Sequence, residues 1–207
     1  MGPKGRSTYD QIAKSVKAVA SAAKLYLSAS AEGTAIVSPE ELFDVVDESD
    51  CVVEVRTRSE VHRLKLLHRA VHIFVFRSDQ SMLIHLRTDT KEEFPSVWTS
   101  SASGHVSSGE SYSTSADREL QEELGIRASL KRVLRVDACA DTSNEFTELF
   151  VAHSDDRISV DPEEIADVDW VAPGEIERRL SQRPDDFSPA FRLLFKKFRT
   201  ECQLADG

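Results

Sequence analysis

Three glutamates, Glu119, Glu122 and Glu123, stand at positions i, i+3 and i+4, directly after Arg118 and just ahead of Gly125. On a helix that spacing brings all three carboxylates to one face. Like charges there repel unless something positive sits among them. Carboxylate oxygens suit hard cations such as Mg2+, so the constellation predicts a divalent-metal site, with Glu122 and Glu123 as ligands on the solvent side. Gly104 and Glu110 precede it at fixed distance, and the stretch from Gly104 to Ile126 reads G-x5-E-x7-R-E-L-x-E-E-x-G-I. A solvated acidic surface helix has no need of those upstream residues, which favours metal chemistry.

The carboxylates need a helix and a sheet behind it. Ser113 or Thr114 can cap the helix and Gly125 can end it in the left-handed conformation. Leu120 and Leu124 share a different face from the glutamates and should bury it. Upstream, residues 42–46 and 51–55 alternate around a polar turn and predict a hairpin. Ser59 can cap a short helix reaching Leu66 or Leu67. Residues 70–76 and 82–86 predict a second hairpin, and residues 131–136 and 146–152 two more strands. Pro173 lies near the first turn of a helix over 174–180. Ser188-Pro-Ala opens a final helix with Phe191, Leu194, Phe195 and Phe198 along one stripe. Strands unevenly interleaved with a few helices indicate an α/β (α+β) fold.

The chain has 207 residues and a formal net charge of −10, which argues against a general binder of nucleic-acid polymers. No apolar stretch approaches the roughly 20 residues of a membrane span. Cys51, Cys139 and Cys202 are far apart and odd in number, a pattern that suits free thiols in a reducing, cytoplasmic compartment. Residues 1–35 are rich in Ala, Ser and Lys, with Ile12, Val16, Val19, Ala23 and Leu27 at helical spacing. That is an amphipathic helix packing on the domain or on a partner subunit, or else an organelle transit peptide. Arg6 stands where a myristoylation signal needs Ser or Thr.

The box from Gly104 to Ile126 resembles the signature of Nudix hydrolases with every fixed position filled, and the likeness extends over about residues 66–198, toward the branch that includes isopentenyl-diphosphate isomerase. The resemblance implies a Nudix-type α/β/α sandwich with a mixed sheet over residues 38–202, after an N-terminal helical extension at 1–37. It implies Glu119, Glu122 and Glu123 as ligands to Mg2+, with Mn2+ as a substitute. Arg118 would orient a glutamate, and Glu110, Gly104 and Gly125 would support the motif. The activity implied is hydrolysis of a nucleoside-diphosphate-type or other small X-diphosphate by metal-activated water. The general base would be one of the helix carboxylates, Glu145 or Glu148. A homodimer is compatible with the family.

Residues 94–105, Phe-Pro-Ser-Val-Trp-Thr-Ser-Ser-Ala-Ser-Gly-His, are similar to the isomerase stretch W-P-G-V-W-T-N-S-V-C-G-H. Arg87 and Lys91 fall where that branch places cations against the substrate diphosphate. His68 and His105 match two of its metal-binding histidines, and Glu145 one of its acids. Trp98 is read as core-facing with an edge toward substrate. Two departures matter: Ser103 stands at the catalytic Cys, and Ser143 at a second acid. A hydroxyl lacks the thiol's accessible pKa of about 8.5. Hydrolysis is therefore the leading expectation, with isomerisation and non-catalytic binding of a phosphorylated ligand as alternatives. His62, His68 and His72 suggest zinc by type, but no cysteine accompanies them, and each is read as an ordinary packed or surface histidine.

Overall fold

The computed structural model describes residues 40–201, so the expectations for residues 1–37 and for Cys202 lie outside it. In chain order the elements are β1 Leu42–Val46, β2 Val52–Thr57, α1 Arg58–Leu64, β3 His68–Phe76, β4 Met82–Arg87, β5 Trp98–Thr99, β6 Ala102–His105, α2 Tyr112–Leu124, β7 Lys131–Val136, β8 Glu145–His153, β9 Ile165–Val171, α3 Pro173–Gln182 and α4 Pro189–Glu201. Among the described residues no helix is long and apolar enough to cross a membrane.

The alternation along β3 builds the layers. Phe74 and Phe76 face one side, packing with Met82, Ile84 and Leu149 beneath Phe191, Leu194, Phe195 and Phe198 of α4 and Ile176 of α3. Val71, Ile73 and Val75 face the other, with Leu83, Phe150 and Ala152, beneath Ala116, Leu120 and Leu124 of α2. The result is an α/β/α sandwich around a seven-stranded sheet of order β5-β4-β3-β8-β7, with β6 added to β3 and β9 to β4. The sheet is mixed because β3 and β8 run parallel. A small second sheet, β1-β2, packs with α1 around Phe43, Val45 and Val61.

The apolar stripe of α4 carries a large share of one layer. Phe195 is 1% exposed and stacks on Phe191 at 5.6 Å. Phe195→Ala is expected to cost about 3–5 kcal/mol through lost transfer energy and a residual cavity, read as a lower urea midpoint with an unchanged m value. A loss below about 1 kcal/mol would mean that this stripe is not part of the core.

Local signals located most elements but misplaced some ends. Thr57, not Ser59, caps α1, accepting from the Glu60 N–H at 3.4 Å, and the helix stops at Leu64 because Lys65 adopts a left-handed conformation. Ser111, not Ser113 or Thr114, caps α2, accepting from the Thr114 N–H at 3.1 Å. The β3–β4 hairpin is paired only at Phe76 and Met82. Beyond that point β3 pairs with β6 and β8, and β4 with β5 and β9. Strand competition across the sheet, absent from local sequence, opens the hairpin.

Candidate active site

α2 presents its carboxylates at one wall of a cleft of roughly 390 Å3. Its C-terminus is closed by Gly125 at φ 68°, whose N–H donates to the Gln121 carbonyl at 3.0 Å. Arg118 is the organising cation. Its guanidinium donates to Glu119 at 2.7 Å, Glu122 at 3.0 Å, Glu110 at 3.1 Å and the His105 carbonyl at 3.1 Å. Burial works against its charge, but the Glu110 hydrogen bond and the Glu119 carboxylate more than offset this and raise its pKa. Glu110 also accepts from Ser115 Oγ at 2.6 Å, so it braces the start of the helix against the loop.

The three glutamates are not equivalent. Glu122 is exposed, while Glu119 and Glu123 are buried. The expectation of a solvent-side Glu123 is thus corrected. Its carboxylate lies under β6, where Oε2 accepts from the Ser103 N–H at 3.2 Å, because the sheet covers the side of α2 that also carries Leu120 and Leu124. Burial pushes Glu119 up to about 7, against the pull of Arg118, and pushes Glu123 well above the usual carboxylate range, with the Glu119 charge adding to it. Gly104 sits opposite. A β-carbon there would overlap the Glu119 carboxylate, so the missing side chain makes the room these acids occupy.

A second group lies beside the first. The parallel register pairs His68 with Glu145 at the start of β3 and β8, and the antiparallel register pairs Ala70 with His105 of β6. The left-handed turn at Lys65 brings His62, from the last turn of α1, back over them. His62 Nε2 and His105 Nε2 are 3.2 Å apart, and Glu145 Oε1 lies 3.1 Å from His105 Nε2 and 3.5 Å from His68 Nε2. Phe43 of β1 walls the cluster, stacked on His105 at 4.6 Å and on His68 at 5.7 Å. The ligand-capable nitrogens of His62, His68 and His105 lie within 4.8 Å of one another, a grouping that could hold a metal ion. Among the described residues the buried His68 Nε2 has no hydrogen-bond partner. Burial alone would raise the Glu145 pKa, but the His105 and His68 imidazoles hold it far below the usual carboxylate range.

Arg87, Lys91 and Arg58 line the same cleft. Arg87 donates to the Glu93 and Phe94 carbonyls at 2.9 and 3.0 Å, and Lys91 pairs with Glu164. Two sequence candidates fall elsewhere. Trp98 is not among the lining residues. Its ring packs on the α4-side core, and Thr99, its neighbour in the alternation of β5, lines the cleft instead. Glu148 is bound to Arg132 at 2.8 Å and lies outside the cleft lining. Arg58 and Glu93 carried no sequence signal of their own, and His62 reads in sequence as an ordinary packed or surface histidine, since each reaches the cleft only through long-range closure.

Known proteins agree with this architecture. The NUDIX domain profile matches residues 66–191. The chain is 33% identical over 186 residues to "Nudix hydrolase 3" of Arabidopsis thaliana, covering 80% of this chain but only 24% of that longer protein. It is 28% identical over 163 residues to a "Prenyl-diphosphate phosphatase" of Methanosarcina mazei, covering 76% of this chain and 95% of the relative. It is 30% identical over 162 residues to an "Isopentenyl-diphosphate Delta-isomerase" of Serratia proteamaculans, covering 76% and 90%. The crystal structure of DR0079 from Deinococcus radiodurans superposes with a TM-score of 0.62 at 27% identity, covering 69% of this chain and 90% of that one. With the motif, the sandwich and the profile in agreement over the same residues, the chain belongs to the Nudix family.

Proposed function

We propose that this protein is a divalent-metal-dependent hydrolase that cleaves a P–O bond in a small X-diphosphate, with Mg2+ as the metal and Mn2+ as a substitute. The observation that carries the reading is the pair Glu119 and Glu123, buried carboxylates gathered opposite a glycine and facing cations across the cleft. Arg118 is shared among Glu110, Glu119 and Glu122, which leaves Glu123 without a hydrogen-bonded cation among the described residues. Buried acids in that state fit a dication. Glu119, Glu122 and Glu123 would hold it. When bound, such an ion neutralises charge on a diphosphate and lowers the pKa of an attacking water.

Arg87, Lys91 and Arg58 would take the diphosphate oxygens, with the Arg87 fork suited to two of them. Arg118 holds Glu119 and Glu122 in place rather than touching substrate. Glu145 was a candidate base, but a carboxylate held so strongly ionised accepts a proton poorly. It is better read as a cation ligand with the histidines, and His68 Nε2, which has no hydrogen-bond partner among the described residues, fits that role. The base then belongs to the α2 carboxylates. Small side chains, Ala70, Thr99, Ser188 and Ala190, line the cleft, and Phe94 is its one carbocyclic aromatic lining residue among those described. That wall favours a short aliphatic diphosphate over a stacked nucleobase. The prenyl-diphosphate relatives point the same way.

Incubating the protein with Mg2+ and a panel of prenyl diphosphates and nucleoside diphosphate derivatives, followed by phosphorus NMR, tests this. The expected result is phosphate or monophosphate release from a prenyl diphosphate. Metal binding without product from any compound would remove the hydrolase reading. The cluster of His62, His68, His105 and Glu145 favours a second reading, isomerisation of isopentenyl diphosphate. Deuterium incorporation into that compound from heavy water would reveal it, and Ser103 in place of a thiol speaks against it.

A further inference from the structure

His72 belongs neither to the histidine cluster nor to the α2 carboxylates. It lies in the middle of β3, in register with Ser103 of β6 and Leu149 of β8. It is buried, yet it forms part of the cleft wall. Its Nδ1 is 2.7 Å from Ser100 Oγ. The neighbouring Ser101 uses its hydroxyl on backbone, donating to the Leu83 carbonyl at 2.6 Å and accepting from the Val75 N–H at 2.7 Å. Ser100 instead holds the imidazole.

Proton counting sets the tautomer. A hydroxyl carries one proton and a neutral imidazole one N–H. Ser100 is fully buried, and among the described residues its Oγ has no other partner. If Nδ1–H donated to Oγ, the hydroxyl proton would be buried without an acceptor, a costly state. Ser100 Oγ–H therefore donates to Nδ1, and the ring proton sits on Nε2. Burial pushes the imidazole pKa down to about 4, so Nδ1 stays an acceptor at neutral pH.

The Nε2–H donor has no partner inside the protein. Among the described residues the one buried side-chain nitrogen or oxygen without a partner is His68 Nε2, and no hydrogen bond reaches His72 Nε2. That nitrogen is therefore open to the cleft, not sealed beneath it. Arg58, Arg87 and Lys91 line the same space. Ser103, the register partner of His72, gives its N–H to Glu123, so His72 lies one strand from a proposed metal ligand. A substrate that fills the cleft expels water from this donor and must supply an acceptor or leave it unpaired. A hydrocarbon chain has none. A diphosphate oxygen is one, and its charge strengthens the bond.

We propose that His72 is a substrate-binding residue whose Nε2–H donates to a diphosphate oxygen, with Ser100 as the positioning residue that fixes the donor tautomer. The assignment rests on the diphosphate reading of the cleft and adds a neutral donor to its three cations.

Two measurements on the full chain test it. Long-range proton–nitrogen NMR, with His72→Gln identifying the signals, should show His72 as the Nε2–H tautomer, and Ser100→Ala should admit the other. Calorimetry with isopentenyl diphosphate and Mg2+ should show His72→Leu binding about 10–100-fold more weakly than the wild type, the range for a lost hydrogen bond to a charged group. His72→Gln returns an N–H at similar reach and should recover most of that loss. An Nδ1–H tautomer in the wild type, wild-type affinity in His72→Leu, or equal weakening in both variants would overturn the proposal and leave the hydrolase reading standing. The expected tautomer and affinities without turnover of any diphosphate would uphold His72 and remove only the hydrolase reading. A wild type that binds no diphosphate would remove both.

Discussion

Glu123→Gln is expected to abolish turnover and, in the absence of metal, to give a domain at least as stable as the wild type. Both effects have one cause. The Glu123 carboxylate is buried, its only hydrogen bond among the described residues comes from the Ser103 N–H, and the nearby Glu119 charge opposes its ionisation. Glutamine keeps the shape and removes the charge. Metal ions contribute several kcal/mol of charge stabilisation in reactions of this type, and at 1.36 kcal/mol per decade that is a loss of about 10^3-fold or more. Stability moves the other way. A carboxyl whose folded pKa lies above its unfolded value binds more protons folded than unfolded, so stability falls as pH rises between the two. Glu119 places that window between 4.5 and about 7, and Glu123 extends it upward. Melting the chelated wild type between pH 5 and pH 8 should show the decline, and Glu123→Gln should flatten it. Undiminished turnover, or a clearly lower melting temperature at pH 8 without metal, would contradict this account.

Gly104→Ala separates function from folding by another route. The added β-carbon meets the end of the Glu119 side chain, not backbone. A flexible carboxylate can turn away, so the fold should lose no more than about 1 kcal/mol, within the range of ordinary substitutions. The displaced carboxylate, however, is a proposed metal ligand and a partner of Arg118 at 2.7 Å. A displacement of about 1 Å can cost on the order of 10^2-fold in rate. Activity should therefore fall by about that factor with the urea midpoint nearly unchanged. A matching drop in both would indicate a packing defect, and no drop in activity would remove Glu119 from the site.

The legible parts of this protein were those written in short-range pattern. The helical spacing of Arg118, Glu119, Glu122 and Glu123, the ending at Gly125, the strands over 131–136 and 146–152, and the Ser188 start of α4 all act within a few residues. β5 and β6 left no such trace, being two and four residues long and held by pairing with β4 and β3. β9 passed unread because it mixes acidic and apolar residues, Ile-Ala-Asp-Val-Asp-Trp-Val, along an edge position. Trp98 shows the limit of reading a motif without its register. Read as core-facing with an edge toward substrate, it does pack on the core, but alternation on β5 puts Thr99, and not the Trp98 edge, in the cleft.

By itself the sequence determined that a capped helix would gather three carboxylates beside one arginine, since periodicity and end signals are local. It also determined the family, through the fixed spacing from Gly104 to Ile126. Tertiary structure alone decided that Glu119 and Glu123 are buried while Glu122 is exposed, because that depends on which side of α2 the sheet covers. It alone brought His62, His68, His105 and Glu145 together and set Glu93 against Ser143. Those residues are distant in the chain and share no periodicity. The pairing of β3 with β6 and β8, and the left-handed turn after α1, make them neighbours.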